Sequence, residues 1–156
     1  MRRKAKKKFH LEPDPKYQSE LVEKFINHLM YDGKKQTARN VVYQMMDELK
    51  SRMKNDEPLA ILTKAISNVS PVLEVRSRRV GGATYQVPRE VRADRKNALA
   101  FRWLLAAARA KKGKPMAYKL SEEILAAYKG EGAAMKKRED THKMAEANRA
   151  FAHFAW

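Results

Sequence analysis

Arg76, Ser77, Arg78 and Arg79 lie between Val75 and Val80, just ahead of Gly81-Gly82 and Thr84-Tyr85-Gln86-Val87. Guanidinium groups present planar forks of donors that match phosphate oxygens, and a tyrosine ring offers a face for stacking. The chemistry this spacing suits is therefore the binding of a polyanion. β-branched residues on both sides of a Gly-Gly pair predict a β-hairpin over about 72–88. Such a ribbon is marginal alone and too thin to bury its arginines, so it should protrude as an arm with Arg78, Arg79 and Tyr85 exposed around Gly81 and Gly82.

Other chemistry is poorly represented. The chain has no cysteine, which excludes disulfides, thiolate metal sites and cysteine nucleophiles. Its histidines, 10, 28, 142 and 153, are scattered; His142 and Glu146 sit one helical turn apart, without a second ligand pair to hold a metal. Gly33-Lys34-Lys35 lacks the upstream glycine and the hydroxyl residue of a phosphate-binding loop. Gly81-Gly82 opens no helix, so it is not a dinucleotide fingerprint. Glu122-Glu123 and Glu139-Asp140 read as solvated or ion-paired helix surface rather than acid–base pairs. The residues argue for no enzyme, no cofactor and no metal.

The elements that must position the arm are helical. Ser19 is placed to cap a helix carrying Leu21, Val22, Phe25, Ile26, Leu29 and Met30, which Gly33 stops. A second helix gathers Ala38, Val41, Val42, Met45, Met46, Leu49 and Met53 on one stripe, with the methionines as core filler. Pro58 starts a third, with Leu59, Leu62, Ala65, Ile66 and Val69, ending before Pro71. Beyond the arm, Asp94 should cap a fourth through about Ala110, carrying Ala98, Phe101, Leu104, Leu105 and Ala108. Pro115 opens a fifth with Leu120, Ile124 and Tyr128, closed by Gly130; a sixth runs from Ala133 into the Met144–Arg149 region. The prediction is a mainly α chain, one domain of about six helices over 17–156 with a two-stranded β-hairpin arm.

The 156 residues carry 34 Lys and Arg against 18 Asp and Glu, a net charge of +16. That excess favours phosphate and is self-repelling without a partner. Residues 1–16, with seven basic and two acidic side chains, read as a flexible basic tail. Further clusters fall at Lys34-Lys35, in the arm with its sequel (Arg76, Arg78, Arg79, Arg89, Arg92, Arg95, Lys96), and at Arg109, Lys111, Lys112 and Lys114. Several basic clusters plus an arginine arm point to nucleic acid. Arginine and tyrosine that stack on unpaired bases suit irregular RNA. A DNA-binding architectural or regulatory protein is the alternative, since a wrapper of duplex DNA uses arginines similarly. The most apolar stretch, Ala98–Ala108, is broken by Arg102 and too short to span a bilayer. Nothing after Met1–Lys8 has the length of a secretory segment, so a cytoplasmic chain without a membrane partner is expected.

Longer motifs narrow this. Phe25-Ile26-Asn27 with Asp32-Gly33-Lys34-Lys35, Glu74 through Ala83 with Tyr85-Gln86-Val87-Pro88, Ala100-Phe101-Arg102-Trp103-Leu104, Lys136-Lys137-Arg138-Glu139-Asp140 and Met144 through Phe151 together resemble the seventh small-subunit ribosomal protein family, bacterial type. The resemblance implies a helical protein with a protruding hairpin that binds the 3′ major domain of small-subunit rRNA. It implies a role in assembling the subunit head, near the messenger exit, the exit-site tRNA and the eleventh small-subunit protein. Carried onto this sequence, the rRNA-binding residues are Arg2, Arg3, Lys4, Lys6, Lys7, Lys8, Lys34, Lys35, Arg76, Arg78, Arg79, Arg92, Arg95 and Lys96. Arg102, Arg109, Lys111, Lys112, Lys114, Lys136, Lys137 and Arg149 complete the set. The hairpin around Arg78, Arg79, Gly81, Gly82 and Tyr85 would approach the tRNA.

Overall fold

In the computed structural model, which describes residues 11–53 and 55–154, six α-helices surround one apolar core and a two-stranded ribbon stands between the third and the fourth. The helices are α1 (Glu20–Leu29), α2 (Lys35–Arg52), α3 (Pro58–Val69), α4 (Ala93–Ala110), α5 (Met116–Lys129) and α6 (Ala133–Ala147), and the strands are β1 (Leu73–Val80) and β2 (Ala83–Glu90). A 3₁₀ turn over Arg149–Phe154 follows α6.

The apolar stripes read from the sequence converge. Phe25, Met45, Met46, Leu62, Leu104, Leu120 and Ile124 are among the fully buried side chains of one continuous cluster. Phe25 and Phe101 meet edge to face with ring centroids 5.5 Å apart, which locks α1 against α4. Two small features allow close joins. Gly81 (φ +57) and Gly82 (φ +90) make the two-residue reversal between Val80 and Ala83, where both positions need the left-handed region. At Gly132 (φ +100) the chain enters α6 through a conformation that L side chains rarely adopt, and an added Cβ would also crowd Glu123 Oε1 at 3.0 Å.

The structure departs from the sequence reading mostly at element ends. Ser19 sits at the α1 N-cap but makes no side-chain cap bond. Arg92, not Asp94, occupies the N-cap of α4, and Asp94 lies in its first turn, where a carboxylate still complements the helix dipole. Helix α1 stops at Leu29, ahead of Gly33, and Met53 falls just beyond α2. The arm is two residues longer than expected at its C-terminal end, reaching Glu90 at the foot. Glu123, expected on a helix surface, is buried: Oε1 accepts the Ala134 N–H at 3.1 Å and Oε2 meets Lys111 Nζ at 3.0 Å. It caps α6 from a neighbouring helix, a job Gly132 cannot do itself. Among the described residues no helix is long and apolar enough to cross a membrane.

Leu104 is fully buried at the centre of the cluster. Leu104→Ala should cost about 2–5 kcal/mol, read as a lowered denaturation midpoint with unchanged slope. A wild-type midpoint would show that α4 turns a different face to the core.

Candidate nucleic-acid interface

Strand pairing divides the arm. The register sets Glu74 opposite Arg89, Arg76 opposite Val87 and Arg78 opposite Tyr85, so these six share one face, while Ser77 and Arg79 lie on the other with Gln86 and Thr84. At Arg78 and Tyr85 the first face is not open as the sequence suggested. The ring of Tyr85 packs against Phe151 and Phe154, each with centroids 5.2 Å away. Arg78 Nη1 donates to the Phe154 carbonyl at 2.7 Å. The 3₁₀ turn thus supports the ribbon from beneath, and Tyr85 is a half-buried contact rather than a free stacking surface. Arg79 is exposed and makes no ion pair among the described residues.

The foot of the arm is tied at two places. Glu74, buried, accepts hydrogen bonds from Arg76 Nε at 2.7 Å and from Arg95 Nε at 2.6 Å, which joins β1 to α4. Burial works against its charged form, but the bonds from Arg95 and Arg76 outweigh it and hold the carboxyl below the ordinary range. On the other side the Val72 N–H donates to His142 Nε2 at 3.1 Å, joining the start of the arm to α6. Burial, with Arg138 as the second cause, lowers the pKa of His142 and favours the neutral ring that can accept this bond.

Helix α4 carries a second basic row. Arg95, Arg102 and Arg109 are spaced by seven, two helical turns, and all are exposed beside the buried Phe101–Leu105–Ala108 stripe. The row spans about 21 Å of helix, comparable to several phosphate spacings. Arg109 is held over the Tyr31 ring at 4.3 Å and donates to the Leu29 carbonyl at 3.3 Å. Arg102 is unengaged among the described residues. Arg92 and Arg95 start the helix next to Arg76 and Arg89, so the arm and α4 merge into one basic surface.

Other predicted residues stand apart or are already matched. Lys35 pairs with buried Glu23, and Arg39 lies within 3.6 Å of Asp14 and 3.5 Å of Glu23. Lys111 meets Glu123, and Lys114 meets Glu122 at 2.7 Å, so Lys112 is the lysine of that cluster without an ion pair among the described residues. Lys34, Lys136, Lys137 and Arg149 are exposed, and Lys96 is half-buried. Arg2, Arg3, Lys4, Lys6, Lys7 and Lys8 lie outside the described residues. Of the predicted tail, residues 11–16 are described, and Asp14 is fully buried: it accepts from the Tyr43 hydroxyl at 2.9 Å and from the Lys16 and Tyr17 N–H groups at 3.1 Å. Asp14 thus packs this short segment against α2. Among the described residues no group of acidic or histidine side chains is arranged to hold a metal ion.

A family model described as ribosomal protein S7p/S5e matches residues 1–149. The chain belongs to that family. It is 58% identical over 156 residues to a protein of Thermotoga neapolitana named small ribosomal subunit protein uS7, with the whole of both chains covered. The uS7 protein of Thermotoga maritima is 56% identical over the same span, and that of Francisella tularensis 53% identical over 155 residues, 99% of each chain. In this S7p/S5e chain the matched region includes both the arm and the full basic row of α4.

Because the pKa of His142 is lowered, the stability it contributes is complete above about pH 6.5 and is lost as pH falls through the depressed value. The wild-type melting temperature should drop between pH 7 and pH 5 by more than that of a His142→Gln variant, whose side chain does not titrate there. Parallel pH profiles would show that the bond to Val72 carries no stability.

Proposed function

We propose that this chain is a structural, non-catalytic component of the small ribosomal subunit, acting in the cytoplasm by binding small-subunit rRNA. Its target is the 3′ major domain, where it organises assembly of the head, near the messenger exit and the exit-site tRNA and beside the eleventh small-subunit protein. The observation that carries this reading is the match to the S7p/S5e family over residues 1–149. The relatives' shared name, small ribosomal subunit protein uS7, supplies the assembly.

The physical reading agrees in kind. A net charge of +16 on a small folded chain lowers the electrostatic cost of bringing RNA helices together. Arg79, Arg102 and Arg92 are exposed on a surface whose scaffold is a packed helical core, so the cations are presented at fixed spacing. A-form RNA hides its sequence in a deep, narrow groove, and recognition then rests on phosphate positions and shape. The arm tip, Arg79 through Thr84, is the part left to reach a second RNA such as the exit-site tRNA.

Competition across a salt series checks the assignment. A transcript of the 3′ major domain should hold the protein at salt that releases duplex DNA and an unrelated folded RNA. Equal, steeply salt-dependent binding to all three would leave generic phosphate attraction and refute a dedicated rRNA site, and a preference for the duplex would favour a DNA-binding role. In the same assay Arg78→Ala with Arg79→Ala should flatten the log–log salt slope by up to roughly two. An unchanged slope would remove the arm from the phosphate-binding surface.

A further inference from the structure

The groove at the foot of the arm is lined by Glu74, Arg76, Arg89, Glu90, Arg92 and Arg95. Four guanidinium groups against two carboxylates leave it net positive, and the first turn of α4 adds the positive end of its dipole. The groove is built around a buried group. Glu74 is only 7% exposed, and each of its oxygens takes the Nε–H of a different arginine, Arg76 at 2.7 Å and Arg95 at 2.6 Å.

That choice of atom matters. An arginine bonded through Nε keeps both outer nitrogens, the pair that grips a phosphate in parallel. Arg76 and Arg95 remain about half exposed, at 50% and 43% of their side-chain surface, so neither side chain is sealed off from solvent. Arg89 and Arg92 are exposed and have no ion pair among the described residues.

We propose that this groove binds a single backbone phosphate of RNA, and that Glu74 is the positioning residue that holds Arg76 and Arg95 in the orientation the phosphate meets. The inference rests on the RNA-binding reading and adds to it a place and a division of labour. Arg76 and Arg95 supply oriented donors, Arg89 and Arg92 supply mobile ones, and Glu74 never touches the RNA. Glu90, at the rim, limits the site to one phosphate by keeping its net charge small.

The arrangement makes a prediction opposite to charge counting. Glu74→Gln removes a negative charge from a phosphate-binding surface, which by attraction alone should tighten binding. Loss of the two oriented guanidiniums should instead weaken binding of the full chain to a 3′ major-domain transcript by roughly tenfold at fixed salt. In a cycle with Arg89→Ala, the double variant should lose less than the product of the two single losses, because both act on one phosphate. A tighter or unchanged Glu74→Gln complex overturns the proposal. Should Glu74→Gln lower the melting temperature, the exposed Arg89→Ala and Arg92→Ala variants carry the test. Each must weaken binding and reduce the salt slope by about one, and wild-type slopes overturn the site. Failure of the wild type to select the transcript would sink the RNA reading itself, whereas selection retained with wild-type-like Glu74→Gln binding sinks this site alone.

Discussion

Carboxylates buried at the joints between elements are the constraint on which this structure depends. With 34 basic and 18 acidic residues, the chain repels itself, and few anions are available to restrain it. Four of them are buried, each at a joint. Asp14 ties the N-terminal loop to Tyr43 on α2, and Glu23 on α1 meets Lys35 and Arg39 on α2. Glu74 joins the arm to α4, and Glu123 joins α5 to Lys111 and to the first turn of α6. A carboxylate removed from water without a partner costs several kcal/mol, so each joint is held in the one geometry that supplies its donors. Breaking such a pair by deleting one side is far more damaging than replacing both sides with apolar groups.

That logic explains how a two-stranded ribbon stays ordered. Alone it would be marginal in water. Here its foot is fixed by Glu74 and by the Val72–His142 bond, and its underside by Tyr85 against Phe151 and Phe154. Only the tip around Arg79 and Gly81–Gly82 extends past these supports. A preorganised arm loses less conformational entropy on meeting RNA than a floppy one, so more of its phosphate attraction appears as affinity. The same supports orient α4, whose row of Arg95, Arg102 and Arg109 continues the basic surface.

The helical scaffold was legible in the sequence because burial leaves a period. Leu21 to Met30, Ala38 to Leu49 and Phe101 to Ala108 each repeat at helical steps, and their stripes are the observed core. The hairpin was legible because Gly81–Gly82 alone can reverse the chain between two β-branched runs. What escaped was non-local. Glu74 and Arg76, two apart on a strand, share a face and could have been paired from sequence, but Arg95 reaches Glu74 across 21 residues. The cover on Tyr85 comes from residues near the chain end, with no local signal in the arm itself. Glu23 was hidden in plain view: it lies one turn before Ile26, on the edge of the apolar stripe, where its partners Lys35 and Arg39 belong to another helix. The cap of α6 came from α5, so no capping residue beside Gly132 announced it. Exposed cations, by contrast, are recognised by type alone, and types do not say which are already matched, as Lys35, Lys111 and Lys114 are.

The supports described fix the arm before RNA arrives, and amide hydrogen exchange on the free protein tests that most directly. Residues at the supported foot, Arg76, Val87 and Val91 among them, should be protected nearly as well as the helical core, while Arg79 through Thr84 exchange fast. Rapid exchange along the whole of 73–90 would mean that Glu74, His142 and the 3₁₀ turn do not hold the arm, and that its order comes from the RNA alone.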